Sequence, residues 1–373
     1  MALFTGAGAS KAFEFPLTGE LFPEIRRRLI KNQLFGRGKK APALHEQLRS
    51  FLHGIYPGLG DTPDADLPLI TDILSLLDHS IVGANALMRE ARRRDMQHFR
   101  RLLERAIYKA LDWETDYDEV PQSLTTFVNS LFGLKKRGIH AGLISTNYDP
   151  LVEIYLFNRL NYGEIRKSFD FGCEWRDDAS GNVWGRPAAP TFSIFKLHGS
   201  LNMLRCPLCD HIYINLDGAI SHLDYDGTDK PRGDGWNQCH CEYAPLEACM
   251  IAPSSVRDIR EPNMLGIWRH SLEFLRKADD WIIIGYSFPP EDLGIRSLFC
   301  RAFQGRTKKP RITVVQAGCD AKTVARYKLM FPDCRYEKDG MAGFVNGFTD
   351  VLEYIPSLPR IREIAVGKCC SGR

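Results

Sequence analysis

Apolar positions along the 373-residue chain follow two spacings. Short continuous runs bounded by turn residues or charges, Gly142 to Ser145, Trp281 to Ile284 and Ile312 to Val315, read as strands buried on both faces of a parallel sheet. Elsewhere apolar residues recur three and four apart, over Leu69 to Leu77, His98 to Leu111, Leu124 to Leu134 and Trp268 to Arg276, which predicts amphipathic helices. Strands separated by helices predict an α/β fold with a doubly wound parallel sheet. One more apolar run, Met1 to Phe4, leads into Gly6, Ala7, Gly8, Ala9 and Ser10 and then a helical pattern with Leu21, Ile25 and Leu29. That order is strand, tight turn, helix. The opening run is short for a sheet strand, so either the strand is abbreviated or the natural start lies upstream.

The pattern changes twice along the chain. Residues 21–140 hold no convincing strand and are too long for one crossover, so they read as a helical lobe inserted after the first strand-turn-helix unit. Residues 201–249 are rich in Cys, His, Gly and Asp with little periodicity, and read as a small metal-organised module. Residues 1–20, 141–200 and 250–320 then form the sheet domain. Residues 321–373 form a C-terminal helical segment with a tail that frays from Gly367.

Charge and composition narrow the picture. Lys plus Arg number 49 against 46 acidic residues, a net charge of +3, so no strong field points to nucleic acid. Arg26 to Arg28 and Arg92 to Arg94 lie in helical patterns and read as solvated faces. No apolar run approaches a bilayer span or a secretory leader, which gives a cytoplasmic reading. In a reducing compartment the 11 cysteines are not expected to form structural disulfides. Four of them, Cys206, Cys209, Cys239 and Cys241, give C-x-x-C, a gap of 29 residues, then C-x-C. Four thiolates can close a tetrahedron around a structural Zn2+; a reduced thiol cluster is the alternative. His211, His240 and Cys249 lie close enough in sequence to replace one ligand. The scattered Cys173, Cys300, Cys319, Cys334, Cys369 and Cys370 read as core or tail residues.

Several short motifs carry candidate chemistry. Gly6, Ala7, Gly8 and Ser10 after a strand suit close approach of a diphosphate, although Lys11 occupies the last glycine of a full G-x-G-x-x-G. Thr146, Asn147, Tyr148 and Asp149 follow the strand GLIS, where open α/β sheets bind ligands; Asn and Asp there can equally cap the next helix. His198, in FKLHGSLN, has the proton affinity to serve as a base, and Gly199 would leave room for a substrate. Gly285 and Ser287 follow the strand WIII directly.

The succession of Gly-Ala-Gly-x-Ser, T-N-x-D, K-L-H-G, paired cysteines and strand-G-x-S resembles the sirtuin family from Gly6 to Gln316. The resemblance implies a Rossmann-like parallel sheet of sirtuin type that binds NAD, with an inserted helical lobe and a small zinc module. It implies that Gly6, Ala7, Gly8 and Ser10 form a pyrophosphate loop, that Asn147 lies beside the nicotinamide ribose and that Asp149 holds the nicotinamide carboxamide. It makes His198 the catalytic histidine, gives Gly285 and Ser287 to ribose and phosphate, and sets Gln316 near the adenosine ribose. Cys206, Cys209, Cys239 and Cys241 match the family's zinc ligands in order, with C-x-C in place of the second C-x-x-C and a longer gap.

Two departures bear on activity. The family's lid sequence Pro-Asp-Phe-Arg is replaced by KAFEFPLTGEL, which leaves Phe15, Pro16 and Thr18 as candidate lid residues. The Val-rich strand that pairs with an acylated peptide is replaced by MIAPSSVRDIREPNMLG, which is broken by charges and Pro262. A chain that keeps NAD residues and loses the peptide strand looks like the sirtuin-like NAD hydrolases of bacterial antiphage systems, as does the wording GYSFPPED with Tyr286 and Asp292. That branch implies NAD as substrate, homo-oligomers, and a partner such as a DNA translocase. The helical lobe could serve as a lid or assembly surface, or be a plain enlarged domain. An NAD-dependent protein deacylase and a non-catalytic NAD or ADP-ribose sensor are the competing readings.

Overall fold

In a computed structural model the described residues are 1–13, 15–36, 38–83, 87–88, 92–111, 121–177, 181–216, 238–241, 244, 246–251, 262–290 and 292–346. The chain opens with strand β1 (Ala2–Thr5), buried at every position, and a five-residue helix α1 (Ala7–Lys11). The glycine turn therefore does not run directly into the Leu21, Ile25, Leu29 helix as the sequence suggests. Helix α1 ends at Lys11 with Ala12 as its C-cap, and that stripe belongs to a separate helix α2 (Thr18–Ile30).

Helices α3 (Ala41–Ile55), α4 (Ile70–Gly83), α5 (Arg93–Leu111) and α6 (Gln122–Lys136) follow, with no strand among the described residues up to 140. Apolar stripes such as Leu21, Phe22, Ile25 and Leu29 on α2 and Ile70, Ile73, Leu74 and Leu77 on α4 pack these helices, with α3, around α5, while α6 packs on the sheet. Most helical stability here comes from burying these stripes rather than from intrinsic propensity. Helix α6 covers the next strand, β2 (Ala141–Ser145), whose register places Thr5 of β1 beside Ser145.

Helices α7 (Leu151–Phe157) and α8 (Tyr162–Ser168) lead to β3 (Phe169–Asp170), then to the short β4 (Trp175–Asp177) and β5 (Val183–Trp184). Strand β6 (Phe192–Lys196) re-enters beside β2, and β7 (Gly199–Arg205), β8 (Ile212–Ile214) and β9 (Glu247–Met250) build a second sheet with β4 and β5. The described residues end with α9 (Pro262–Lys277), β10 (Asp280–Ile284), α10 (Leu293–Gln304), β11 (Arg311–Val315), α11 (Ala321–Met330), β12 (Arg335–Glu337) and α12 (Gly340–Asn346).

The main sheet has seven strands in the order β12, β11, β10, β1, β2, β6, β3, all parallel. Strand order reverses between β1 and β10, because the chain builds outward through β2 and β6 and then returns to the other side of β1. Ligands of open α/β sheets bind at such a reversal, beyond the carboxyl ends of the strands. Burial on both faces explains why the central strands are continuous apolar runs. The second sheet, in the order β5, β4, β8, β7, β9, holds a separate small core of Leu204, Cys206, Tyr213, Cys239, Ala244 and Leu246. It begins at Trp175, well before the module boundary at 201 that composition suggests, and residues 217–237 of that module lie outside the described residues. The segment 321–373, read from sequence as helical, contributes an edge strand, β12, paired in parallel with β11; residues 347–373 lie outside the described residues. Among the described residues no helix is long and apolar enough to cross a membrane.

Candidate functional site

The two turns that flank the strand reversal lock together through glycine. Gly6 N–H donates to Ile284 O at 3.0 Å and Gly8 N–H to Gly285 O at 2.8 Å. Gly285 has φ +62, and a Cβ there would lie 2.0 Å from Ala9 N and 2.3 Å from Gly8 C. A Cβ on Gly6 or Gly8 would lie 2.8 Å from Gly285 O. Packing of one turn on the other thus accounts for Gly6, Gly8 and Gly285, and the N–H of Gly8 is already engaged. Ala7 lies between them, half-buried.

A hydrogen-bonded chain ties this turn to the loop after β2. Asn147 Nδ2 donates to Gly6 O at 2.9 Å and to Ser10 Oγ at 2.8 Å, and Ser10 Oγ donates to Asp149 Oδ2 at 2.5 Å. Asp149 Oδ1 also accepts from Leu151 N at 3.4 Å, just ahead of α7, whose N-cap is Pro150 with no side-chain cap, so neither Asn147 nor Asp149 is that helix's capping residue. All three side chains are buried. They line a small cavity with Ser145, Glu153 and Lys196.

The segment joining β6 to β7 straps the same loop. His198 Nδ1 lies 3.1 Å from Thr146 O, and since a carbonyl only accepts, Nδ1 carries a proton, which in the neutral ring leaves the lone pair on Nε2. Ser200 Oγ and Leu201 N donate to Tyr148 O, and Lys196 Nζ donates to Asp149 O at 2.6 Å. The His198 ring sits between Tyr148 and Trp268, at centroid distances of 6.3 and 6.4 Å. Gly199, expected to leave room for a substrate, instead answers a backbone contact: its φ is +72 and a Cβ would lie 1.8 Å from Cys249 O.

Across the reversal, Ser287 is exposed and its carbonyl accepts from Arg326 at 2.9 Å, while Gln316 Nε2 donates to Tyr286 O at 2.6 Å. Asp292 accepts from Tyr286 Oη at 2.8 Å and caps α10 through Ile295 N. Ser287 and Gln316 thus rim the β10 and β11 side, with Ser10, Asn147, Asp149 and His198 on the β2 and β6 side. Phe15 is buried and its N–H donates to Ser10 O at 3.1 Å, so it is packed into the site wall, with Pro16 and Thr18 half-buried behind it. Residues 252–261, which carry most of the stretch read as lacking a peptide strand, lie outside the described residues.

The sequence reading passed over Lys196 and Glu153. A signal was present in each case, a lone charge in the apolar runs FSIFK and LVEIYLF. Burial pushes the Glu153 carboxyl above its ordinary value, and Lys196 opposes the rise without cancelling it.

The four cysteines form a second centre. The sulfurs of Cys206, Cys209, Cys239 and Cys241 all lie within 4.8 Å of one another, with 3.7 Å from Cys206 to Cys241 and 3.4 Å from Cys209 to Cys239. A tetrahedral site with metal–sulfur bonds of about 2.3 Å has edges of about 3.8 Å, so the cluster fits such an ion. The amides of Leu208 and Cys209 donate to Cys206 Sγ and that of Cys241 to Cys239 Sγ, which orients both sulfurs within the cluster. Burial raises the Cys209 thiol to about 12. Burial also raises Cys239, but hydrogen bonds led by Tyr213 overcome it and bring that thiol to about 7. His211 Nδ1 touches Cys209 Sγ at 3.1 Å, on the edge of the cluster. His240 faces Tyr213, and Cys249 contacts Met264 in the main core, so neither takes a cysteine's place.

Fold and site together define a doubly wound α/β protein with a polar, buried cavity at the carboxyl ends of β1, β2 and β6 and a separate four-thiol centre in a small second sheet. No protein-family model matches the chain, and no curated protein matches it. Among solved structures it is similar to a Sir2 homologue in complex with NAD, at 14% identity over 94% of this chain and 89% of that one, with a TM-score of 0.43. It is also similar to Sir2Tm bound to a propionylated peptide, at 11% identity over 94% and 92% with a TM-score of 0.43. A substituted Sir2 homologue in complex with 2'-O-acetyl ADP ribose is 15% identical over 96% and 93%, with a TM-score of 0.42.

Proposed function

We propose that the protein is a sirtuin-like NAD glycohydrolase, cleaving NAD to nicotinamide and ADP-ribose. The observation that carries this reading is the single hydrogen-bonded chain Asn147, Ser10, Asp149, set beside His198 at the strand reversal. Asp149, whose Oδ2 accepts from Ser10 and whose Oδ1 accepts from Leu151 N, keeps a second lone pair on each oxygen as an acceptor for the carboxamide N–H of nicotinamide. Asn147 holds the Gly6 turn and lies beside the nicotinamide ribose. His198, protonated at Nδ1, accepts a proton at Nε2 from a ribose hydroxyl or from an attacking water.

The bond from C1' to the pyridinium nitrogen breaks with its electron pair going to nicotinamide, which leaves neutral, and the ribose passes through an oxocarbenium-like state. Water oxygen bonds to C1' and its proton leaves through His198. Burial of Asn147, Asp149 and His198 limits access to that water. NAD is the substrate and Zn2+ on the four cysteines is structural. We assign the protein a cytoplasmic role in bacterial antiphage defence by NAD depletion, as a homo-oligomer and with a partner of the DNA-translocase class.

The test follows nicotinamide and ADP-ribose from NAD without any acylated peptide, comparing wild type with Asn147→Ala and His198→Ala. Each substitution is expected to lower turnover by about 100-fold or more, the upper range for loss of a proton-transfer group. Turnover that requires an acyl-lysine peptide would make the protein a deacylase. Tight NAD or ADP-ribose binding with no turnover would make it a sensor.

A further inference from the structure

Two charged side chains stand in elements that are otherwise apolar. Lys196 closes β6 at 4% exposure and Glu153 lies in α7 at 3%. Their ion pair is 2.9 Å long, and Nζ of Lys196 also donates to the main-chain O of Asp149 at 2.6 Å. Desolvating two charges offsets much of what the pair gains, and apolar residues of similar size would fill the same volume. What apolar residues could not supply is the hydrogen bond to Asp149 O. The loop from Thr146 to Pro150 has no regular secondary structure, and its carbonyls at Thr146, Tyr148 and Asp149 are held by His198, by Ser200 with Leu201, and by Lys196.

We propose that Lys196 is a positioning residue: paired with Glu153, it fixes the Asp149 carbonyl and so holds in place the loop that carries the Asn147, Ser10, Asp149 hydrogen-bonded chain lining the cavity. This assignment rests on the hydrolase reading for its consequence in catalysis, but not for its geometry. Lys196 touches no reacting atom, so its loss acts through the loop, on turnover more than on NAD affinity.

The experiment compares wild type with Lys196→Met and with the paired variant Lys196→Met/Glu153→Met. The single variant leaves a buried carboxyl without its cation and is expected to melt below wild type; the paired variant is expected to recover the wild-type melting temperature. In the paired variant, amide hydrogen exchange over residues 146–151 is expected to accelerate at least tenfold while the rest of the main sheet keeps its protection. Its kcat for NAD is expected to fall at least tenfold with KM changing less than threefold. Wild-type exchange and wild-type kcat in a folded paired variant overturn the proposal. Should that variant not fold, Glu153→Gln, which keeps the side-chain volume and removes the anion, is expected to raise exchange over the same segment, and unchanged exchange there overturns it equally. A wild-type protein that releases no nicotinamide overturns the hydrolase reading alone, and the exchange measurement still decides what Lys196 does.

Discussion

Single residues in this chain often answer two demands at once, and the structural one is not visible in a motif. Gly285 follows a strand as a ligand-contacting glycine would, yet its left-handed φ and the 2.0 Å approach of a Cβ to Ala9 N already require glycine. Gly285→Ala is therefore expected to cost about 3 kcal/mol or more, from left-handed strain plus overpacking, read as a lower midpoint in urea denaturation. His45 makes a similar point in the helical lobe. Its Nε2 accepts from Leu34 N at 3.0 Å and its Nδ1 faces Ala41 O at 2.7 Å, a pattern only the neutral ring satisfies. Burial, helped by Arg49 and opposed by Ala41, lowers its pKa below the ordinary value. The unfolded chain then binds the extra proton first, so this stabilisation is present above the unfolded pKa and is lost as pH falls toward the folded one. Unfolding free energy is expected to drop on acidification below about pH 6.5, by at most about 1.4 kcal/mol per pH unit for this group, read as a falling melting temperature, and His45→Gln is expected to flatten that slope.

At the scale of elements, legibility tracked length and burial. The runs at 142–145, 281–284 and 312–315 are strands β2, β10 and β11, each extended by one residue at its start, because a strand covered on both faces has to be apolar throughout. Helices α4, α5, α6 and α9 stand where three-four spacing puts them, α6 and α9 longer at both ends, α5 at its start and α4 at its end. The two- and three-residue strands β3, β4, β5, β8 and β12 gave no signal, since two residues cannot show an alternation. The cysteine module was legible by spacing even though its sheet was not. Metal analysis is expected to find about one zinc per chain, and Cys206→Ser to lower that stoichiometry and the thermal stability together. A folded, metal-free wild type would leave the cluster as packed thiols.

The whole molecule divides along the same line. The sequence by itself determined the parallel sheet, the run of helices between its first two strands and the cysteine cluster, and it named Gly6, Ser10, Asn147, Asp149 and His198 as candidates, because burial pattern and short motifs are local properties of a chain. Only the tertiary structure decided which strands flank the reversal, that Asn147, Ser10 and Asp149 form one hydrogen-bonded chain, and that Lys196 and Glu153 find each other inside the core. Ser10 and Asp149 stand 139 residues apart in sequence and meet because β1 and β2 are neighbours in the sheet. Contacts of that kind depend on strand order, and strand order is settled by how the helices and sheets bury their apolar faces against one another, which no local stretch of sequence encodes.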